Sequence, residues 1–197
     1  MLYDVSKTIL FETKNCLKMV LKMKVKIGFV LVVLLAIFLS GCIGKGQILE
    51  TWQTSHASLL IRIDKHQEIG GFMPTLNGAY YVFHSKPADS DQWHEIMTFR
   101  HDDSIDIPKN NVHFAGDKIT SVFMGWMYAV TTDGGDNWRV SNIWDFLSNG
   151  EKCLYRCIED LKIEASGTGE IKLHIIAGSK DNLKILKTND FGESWRE

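Results

Sequence analysis

One eight-residue pattern, Thr-x-Asp-x-Gly-x-x-Trp, occurs twice in this chain, first at residues 131–138 and again at residues 188–195. A strand-like stretch precedes each copy, at residues 127–130 and at residues 183–186. Each copy therefore lies where a predicted strand ends and the chain turns back. In such a turn the Asp carboxylate accepts backbone N–H bonds, the Gly adopts a positive φ, and the indole covers apolar surface. The repeat thus predicts two β-hairpin tips of the same construction.

The repeated pattern resembles the Asp-box of sialidases and other β-propeller proteins, in which the box closes the outer hairpin of a blade. The resemblance implies a structural role, away from any catalytic centre, for eight residues: Thr131, Asp133, Gly135, Trp138, Thr188, Asp190, Gly192 and Trp195. It bears on the fold and not on the chemistry.

Three tryptophans, at positions 93, 138 and 195, are spaced by about the length of one propeller blade. The first follows a predicted hairpin loop at residues 85–92, which is either a degenerate box or an ordinary hairpin. A closed propeller needs about four blades or more, which a chain of this length does not supply. We therefore predict an all-β fold of about three antiparallel, blade-like sheets, either an incomplete β-propeller or a twisted sandwich. Residues 141–149 are the best candidate for a short helix.

The N-terminal segment has the order of an export signal, because lysines lead into an apolar run at residues 27–38. This predicted signal helix is too short to span a bilayer comfortably. Residues 39–42, Leu-Ser-Gly-Cys, resemble the lipobox of bacterial lipoproteins, which implies cleavage before Cys42 and acylation of that residue. A transmembrane anchor that keeps Cys42 as a free thiol is the alternative.

The lipobox resemblance sets the expected layout of the chain. Residues 1–41 are a signal peptide, residues 42–55 a lipidated tether, and residues 56–197 a single all-β domain. Ile rather than Asp follows the cysteine, which resembles the sorting rule for the outer membrane, so the domain would face the periplasm. Met19 or Met23 would give a more usual start, whereas initiation at Met1 would add a minor cytosolic form.

The charge of the mature chain argues against nucleic acid as a partner. Of the 22 basic and 24 acidic side chains, the signal peptide removes six lysines and two acids. This leaves 16 basic against 22 acidic groups, a formal charge of −6 on 156 residues. An acidic surface suits solubility or a basic protein partner.

The two cysteines of the predicted domain are close in sequence, at positions 153 and 157. In an oxidising compartment a Cys153–Cys157 disulfide is favoured over a metal site. Four residues along a strand span about 13 Å, beyond the reach of a disulfide, whereas one helical turn brings the Cα atoms to about 6 Å. A bridge would therefore require a turn or helical loop at residues 153–157, and two free thiols are the alternative.

No arrangement of residues predicts a catalytic centre, a metal site, a cofactor or a small-molecule substrate. His94 and Glu95 lack the second histidine of a zinc-protease motif. The acidic residues 102, 103 and 106 lack the glycine turn and distal glutamate of a calcium loop. We therefore predict that the chain is not an enzyme.

Two further stretches, residues 99–103 and 122–135, resemble segments of the immunity lipoproteins paired with type VI secretion lipase effectors. The resemblance implies a protein that binds a cognate phospholipase effector in the periplasm and neutralises it. The candidate partner contacts are Arg100, Asp102, Asp103, Trp126 and Tyr128, although the two aromatic residues lie in a strand whose apolar face can equally be core. The alternative is an envelope lipoprotein with Asp-box repeats that binds glycan or assists assembly of another complex.

Overall fold

The computed structural model describes residues 44–69 and 78–197. These residues form strands and one short 3-10 helix, so the predicted all-β class is confirmed. None of the described residues belongs to a helix with the length and apolar character needed to span a membrane. The signal peptide, Cys42 and the two alternative starts lie outside the described residues.

The strands form three antiparallel sheets that follow one another along the chain. The first sheet contains β1 (Gly44–His56), β2 (Leu59–Ile69), β3 (Ala79–Pro87) and β4 (His94–His101). The second contains β5 (Val112–Ala115), β6 (Ile119–Met124), β7 (Met127–Thr131) and β8 (Arg139–Asn142). The third contains β9 (Glu151–Ile163), β10 (Gly169–Ala177) and β11 (Lys180–Thr188), and a bridge from Lys187 to Arg196 adds the start of another strand. In each sheet, consecutive strands are hydrogen-bonded neighbours.

The second sheet packs against both of the others. Adjacent side chains of a strand point to opposite faces, so β6 directs Val122 to one side and Phe123 to the other. Val122 belongs to a core shared with Tyr81 and Phe83 of the first sheet. Phe123 belongs to a core shared with the third sheet, including Ile163. All six residues of β6 are therefore buried, and neither face of this strand is available to a partner.

The tether expected over residues 42–55 is wrong for its described part, because Gly44–His56 forms β1. β1 pairs antiparallel with β2 from its first residue to its last, with two register shifts near its start. Trp52 packs against the core of the first and second sheets. β1 is an edge strand of the first sheet, with water along one side, which is why most of its side chains are exposed.

The helix expected over residues 141–149 is limited to a 3-10 turn at Ile143–Phe146. Asn142 caps its start, since the side-chain oxygen accepts the Trp144 N–H at 3.0 Å. Leu147 then adopts an extended conformation and ends the turn. Ile143 is the one residue of this turn that is buried, so packing anchors a single turn and not a longer helix.

The antiparallel pairing gives the described fold two distinct ends. The turns within the strand pairs β1–β2, β3–β4, β5–β6, β7–β8 and β9–β10 all lie at one end, which we call the hairpin end. Within a sheet, backbone bonds join neighbouring turns at this end: Gly134 donates to the Lys118 carbonyl in the second sheet, and Phe191 donates to the Gly167 carbonyl in the third. The connections between sheets, at residues 102–111 and 143–150, lie at the opposite end, which we call the connector end.

Candidate functional site

The first box forms the turn between β7 and β8 at the hairpin end, and its own side chains close it. Thr131 Oγ1 donates to Asp133 Oδ1 at 2.7 Å and accepts the Gly135 backbone N–H at 3.0 Å. The Asp133 carboxylate also accepts the backbone N–H and the side-chain amide of Asn137, at 3.0 and 2.8 Å. These bonds, that of the Asn137 backbone N–H above all, lower the pKa of Asp133 to about 2.

The second box repeats this construction after β11. Thr188 Oγ1 donates to Asp190 Oδ1 at 2.6 Å and accepts the Gly192 backbone N–H at 3.0 Å. Ser194 takes the place of the asparagine and donates to Asp190 from its hydroxyl, at 2.5 Å, and from its backbone N–H, at 2.9 Å. These bonds, chiefly that of the Ser194 hydroxyl, hold the pKa of Asp190 well below its ordinary value. The expected positive φ is present at Gly135 (100°) and at Gly192 (76°).

Each box tryptophan reaches from its own sheet to the third strand of the preceding sheet. Trp138 Nε1 donates to Ser85 Oγ in β3 at 3.0 Å. Trp195 Nε1 donates to the Tyr128 hydroxyl in β7 at 2.9 Å, and that hydroxyl donates to the Gly192 carbonyl at 2.8 Å. The boxes therefore bind neighbouring sheets to each other as well as closing their own turns.

The loop before Trp93 lies between the third and fourth strands of its sheet, as the first box does, but it is built differently. The Thr, Asp and Gly of the box are replaced by Lys86, Ala88 and Ser90. Within the part of the chain that the structure describes, Trp93 makes no hydrogen bond to another sheet, and the cations of Arg62 and Lys86 lie 4.5 and 5.3 Å from its ring centroids. This loop is therefore an ordinary hairpin connection in a box position.

The prediction of Tyr128 as a partner contact is wrong. Its side chain has no exposed area, and its ring packs edge-on against Trp195 with centroids 6.0 Å apart. Trp126 is half-buried in the turn between β6 and β7, where its ring packs edge-on against Phe99 at 4.8 Å and against Trp144 at 6.2 Å. Trp144 is 46% exposed, so these two indoles form an aromatic patch at the connector end.

The three charged candidates lie where β4 enters the connector. Arg100 makes two hydrogen bonds to the buried carboxylate of Glu68, at 3.0 and 3.1 Å, and a third to Asp102 at 2.6 Å. Asp102 and Asp103 are exposed. The Asp103 backbone N–H donates to His101 Nδ1 at 3.1 Å, which fixes the direction of the connector. The connector end therefore carries Arg100, Asp102, Asp103 and Trp126, but not Tyr128.

A disulfide joins Cys153 and Cys157 within β9, with the two Cα atoms 4.9 Å apart. Ile158 pairs with Leu173 and Cys153 pairs with Ile175, so β9 takes five residue steps where β10 takes two. The additional residues loop out of the sheet as a large bulge. The backbone thus leaves the regular strand between the cysteines, as the reach of a disulfide requires.

A cleft of about 780 Å³ opens at the connector end beside this bulge. Its walls come from His101 at the end of β4, from the connector at residues 102–111, from the turn at Gly125 and from the third sheet. The polar lining consists of His101, Asp106, Asn110, Asn111, Arg156, Glu159 and His174. Glu159 lies 2.8 Å from His174 Nε2, and Asp181 lies 3.2 Å from the Nδ1 of the same ring. In the described residues, no group of three or more His, Cys, Asp or Glu side chains is placed to hold a metal ion.

Sequence reasoning missed the residues that line this cleft. They come from separate stretches of the chain, and packing of the sheets brings them together. The one local signal is the arginine enclosed by the closely spaced cysteines 153 and 157, because a bridge over so short a span lifts the enclosed residues out of the strand. No protein-family model, curated protein or solved structure matches this chain.

Proposed function

We propose that this chain is an immunity lipoprotein that binds a type VI secretion phospholipase effector in the periplasm and neutralises it. In this proposal the chain performs no chemistry of its own. It acts by covering the active site of the effector or by blocking the effector's access to lipid.

The observation that carries the proposal is the contact between the two stretches that resemble the immunity family. Residues 99–103 and 122–135 are distant in sequence, yet Phe99 packs edge-on against Trp126 and directly over Gly125. Together they form part of the connector end, next to the cleft and the exposed acids Asp102 and Asp103. The two segments thus meet at the connector end, where Asp102, Asp103 and Trp126 are accessible, and this meeting supports a binding role for that end.

We also propose that the three sheets are three blades of an incomplete β-propeller. Each sheet is an antiparallel meander, and the two boxes follow the third strand of their sheets. Trp138 and Trp195 each bind the preceding sheet through the same kind of contact, which supports a repeated blade-to-blade packing.

The location that this function requires follows from the lipobox resemblance at residues 39–42. An acylated Cys42 would hold the domain on the periplasmic side of the outer membrane, where a delivered phospholipase attacks. Several acyl chains give stable anchoring where one is marginal. We therefore place the working protein at the membrane it protects.

The charges and aromatic residues of the connector end suit a tight protein interface. Anchors in such interfaces are enriched in Trp, Tyr and Arg, and Trp126, Trp144 and Arg156 are available here. Protection requires that little free effector remain, so we expect a nanomolar dissociation constant, about −12 kcal/mol.

Co-expression tests the proposal. The type VI secretion lipase effectors of the cell that makes this chain are directed, one at a time, to the periplasm of a sensitive host, with and without the full chain. We expect survival with the chain and lysis without it. Equal killing in the two cultures, with the folded protein present by immunoblot and protease resistance, would reject the immunity function.

A role in assembling another envelope complex is the second candidate. It is favoured by the outward face of β11, where Leu183 and Ile185 are 55% and 42% exposed. Exposed apolar side chains side by side on a sheet are a recognised sign of a protein contact. Co-purification of envelope proteins in a strain that lacks the effector would favour this role over immunity.

A further inference from the structure

Arg156 differs from three other arginines of the fold, because it pairs with no carboxylate or carbonyl oxygen of the described residues. Arg62 lies 2.9 Å from Asp64 in an ion-pair contact, Arg100 binds Glu68, and Arg139 donates to backbone carbonyls of the second box. Arg156 is exposed and lines the cleft, and no carboxylate of residues 44–69 and 78–197 pairs with it. Its guanidinium therefore offers five N–H donors to whatever enters the cleft.

The backbone presents this arginine in a fixed way. Arg156 lies in the bulge of β9, directly before the buried half of the disulfide, Cys157. The next residue, Ile158, donates its backbone N–H to the Gly125 carbonyl at 2.7 Å, which ties the bulge to the turn of the second sheet. The backbone of a residue that lies between two bridged cysteines, next to a cross-sheet bond, loses little further freedom on binding, so Arg156 is well suited to be an anchor.

The other charged groups of the cleft determine what fits beside Arg156. Burial lowers the pKa of His101, and the nearby charge of Arg156 acts in the same direction, so this ring is neutral at pH 7. Glu159 is engaged by His174. Asp106 is exposed and pairs with no cation of the described residues. Among the described residues, the cleft therefore presents one cation without a counter-ion, Arg156, and one anion without a counter-ion, Asp106. Neutral hydrogen-bonding groups line the rest of its walls.

We propose that this cleft receives a loop of the lipase effector, and that an Asp or Glu side chain of that loop pairs with Arg156. This inference rests on the proposed immunity function and names the part of the surface that performs it. Arginine forms a planar, two-bonded pair with a carboxylate, which supplies orientation as well as affinity. Asp106 complements a loop that carries a basic residue close to the acid.

A protein loop suits the cleft better than a free small anion. Asp106 and Glu159 add negative charge to the lining and disfavour an isolated anion, whereas a loop can position its carboxylate at Arg156 alone. The cleft is also continuous with the aromatic patch of Trp126 and Trp144 through the Gly125 turn. A flat aromatic contact beside a charged anchor is the usual composition of a protein interface.

The test measures the affinity of the mature protein for a purified type VI secretion lipase effector of the cell that makes this chain, by calorimetry or biolayer interferometry. The variants are Arg156→Ala, Arg156→Lys and Arg156→Glu. Lys152→Ala is the matched control, because Lys152 is an exposed cation on the same strand that does not line the cleft. Circular dichroism and melting temperature establish that each variant is folded.

Removing one partner of a desolvated charge pair weakens binding by about 30-fold or more, which is the loss we expect for Arg156→Ala. Arg156→Lys retains the charge but not the two-bonded geometry, so it should fall between the wild type and the alanine variant. Lys152→Ala should change the affinity by less than about twofold, as surface charges usually do. Arg156→Glu should bind most weakly, and an effector variant with Lys in place of the contacting acid should restore its binding.

The outcomes separate the two proposals. If the wild type binds tightly and Arg156→Ala binds equally well, the cleft is not the anchor site, while the immunity function stands. If the wild type does not bind the effector at all, the immunity function fails and this inference fails with it. Equal losses for Arg156→Ala and Lys152→Ala would show a general charge effect and would also overturn the assignment.

Discussion

Replacing Gly125 by Ala tests the joint between the first and second sheets. Gly125 has a φ of 62°, and a Cβ added to it would lie 2.0 Å from Phe99 Cζ. The Phe99 ring is only 2% exposed and packs edge-on against Trp126, so it has little room to withdraw. The substitution therefore imposes both a backbone penalty and a steric one.

The two penalties can be estimated separately. A left-handed conformation costs a non-glycine residue about 1–2 kcal/mol. Forcing an added methyl into a packed site costs about 1–3 kcal/mol more. We expect Gly125→Ala to lower the free energy of unfolding by about 2–5 kcal/mol in total.

Gly116→Ala is the matched control for the backbone term. Gly116 has a φ of 74° in the turn between β5 and β6, and an added Cβ there would meet no atom within 4 Å. It should lower stability by only about 1–2 kcal/mol. Urea melts of the two purified variants measure the difference.

A relief experiment completes this test. Shortening Phe99 to Ala in the Gly125→Ala background should destabilise by less than the sum of the two single changes, because the clash is then absent. If Gly125→Ala and Gly116→Ala melt alike, or if the two changes at the joint are additive, the packing of Phe99 over Gly125 is not as described.

Three further predictions concern the boxes and the anchor. The folded pKa of Asp133, about 2, lies below its ordinary value of 3.8, so its contribution to stability is present above about pH 4 and is lost as the pH falls toward 2. Melts across this range should show that stability falls less steeply with pH for Asp133→Asn than for the wild type. Trp138→Phe retains a smaller aromatic ring and removes the bond to Ser85, so it should lower the free energy of unfolding by at least the bond's share of about 0.5–1.5 kcal/mol, and adding Ser85→Ala should bring little further loss. Cys42→Ala should abolish labelling by radioactive palmitate, and equal label in mutant and wild type would contradict the lipoprotein prediction.

The box turns could be predicted because the bonds that close them lie within eight consecutive residues. Thr131, Asp133 and Asn137 meet through local geometry alone, and Thr188, Asp190 and Ser194 repeat it. The sequence pattern therefore specifies nearly all of the hydrogen bonds that close the turn. The contacts of Trp138 and Trp195 with the preceding sheets were not in the pattern, because their partners lie 53 and 67 residues away.

The assignment of Tyr128 to an interface failed for a reason that applies to any middle sheet. Alternation along a strand tells which residues share a face, but it does not tell whether the opposite face meets water. Here both faces of the second sheet are covered, so an aromatic residue on either face is core. Trp126 is only half-buried because it lies in the turn after β6.

The position of β1 at the edge of its sheet explains why this stretch was predicted to be a tether. Its sequence mixes polar residues with Gly46 and ends with Thr-Ser-His, a composition that is also typical of linkers. The strand conformation of β1 depends on its pairing with β2, which the conformational preferences of its own residues do not indicate. Ile48 and Leu49 remain about half exposed, as an edge strand permits.

The central claim is that this chain neutralises a phospholipase by binding it. The most direct measurement is the rate of phospholipid hydrolysis by a purified type VI secretion lipase effector of the cell that makes this chain, titrated with the mature protein in detergent micelles. We predict that hydrolysis falls linearly and ends at a fixed molar ratio of protein to effector, as tight binding requires. Undiminished hydrolysis at a large molar excess of folded protein would contradict the claim.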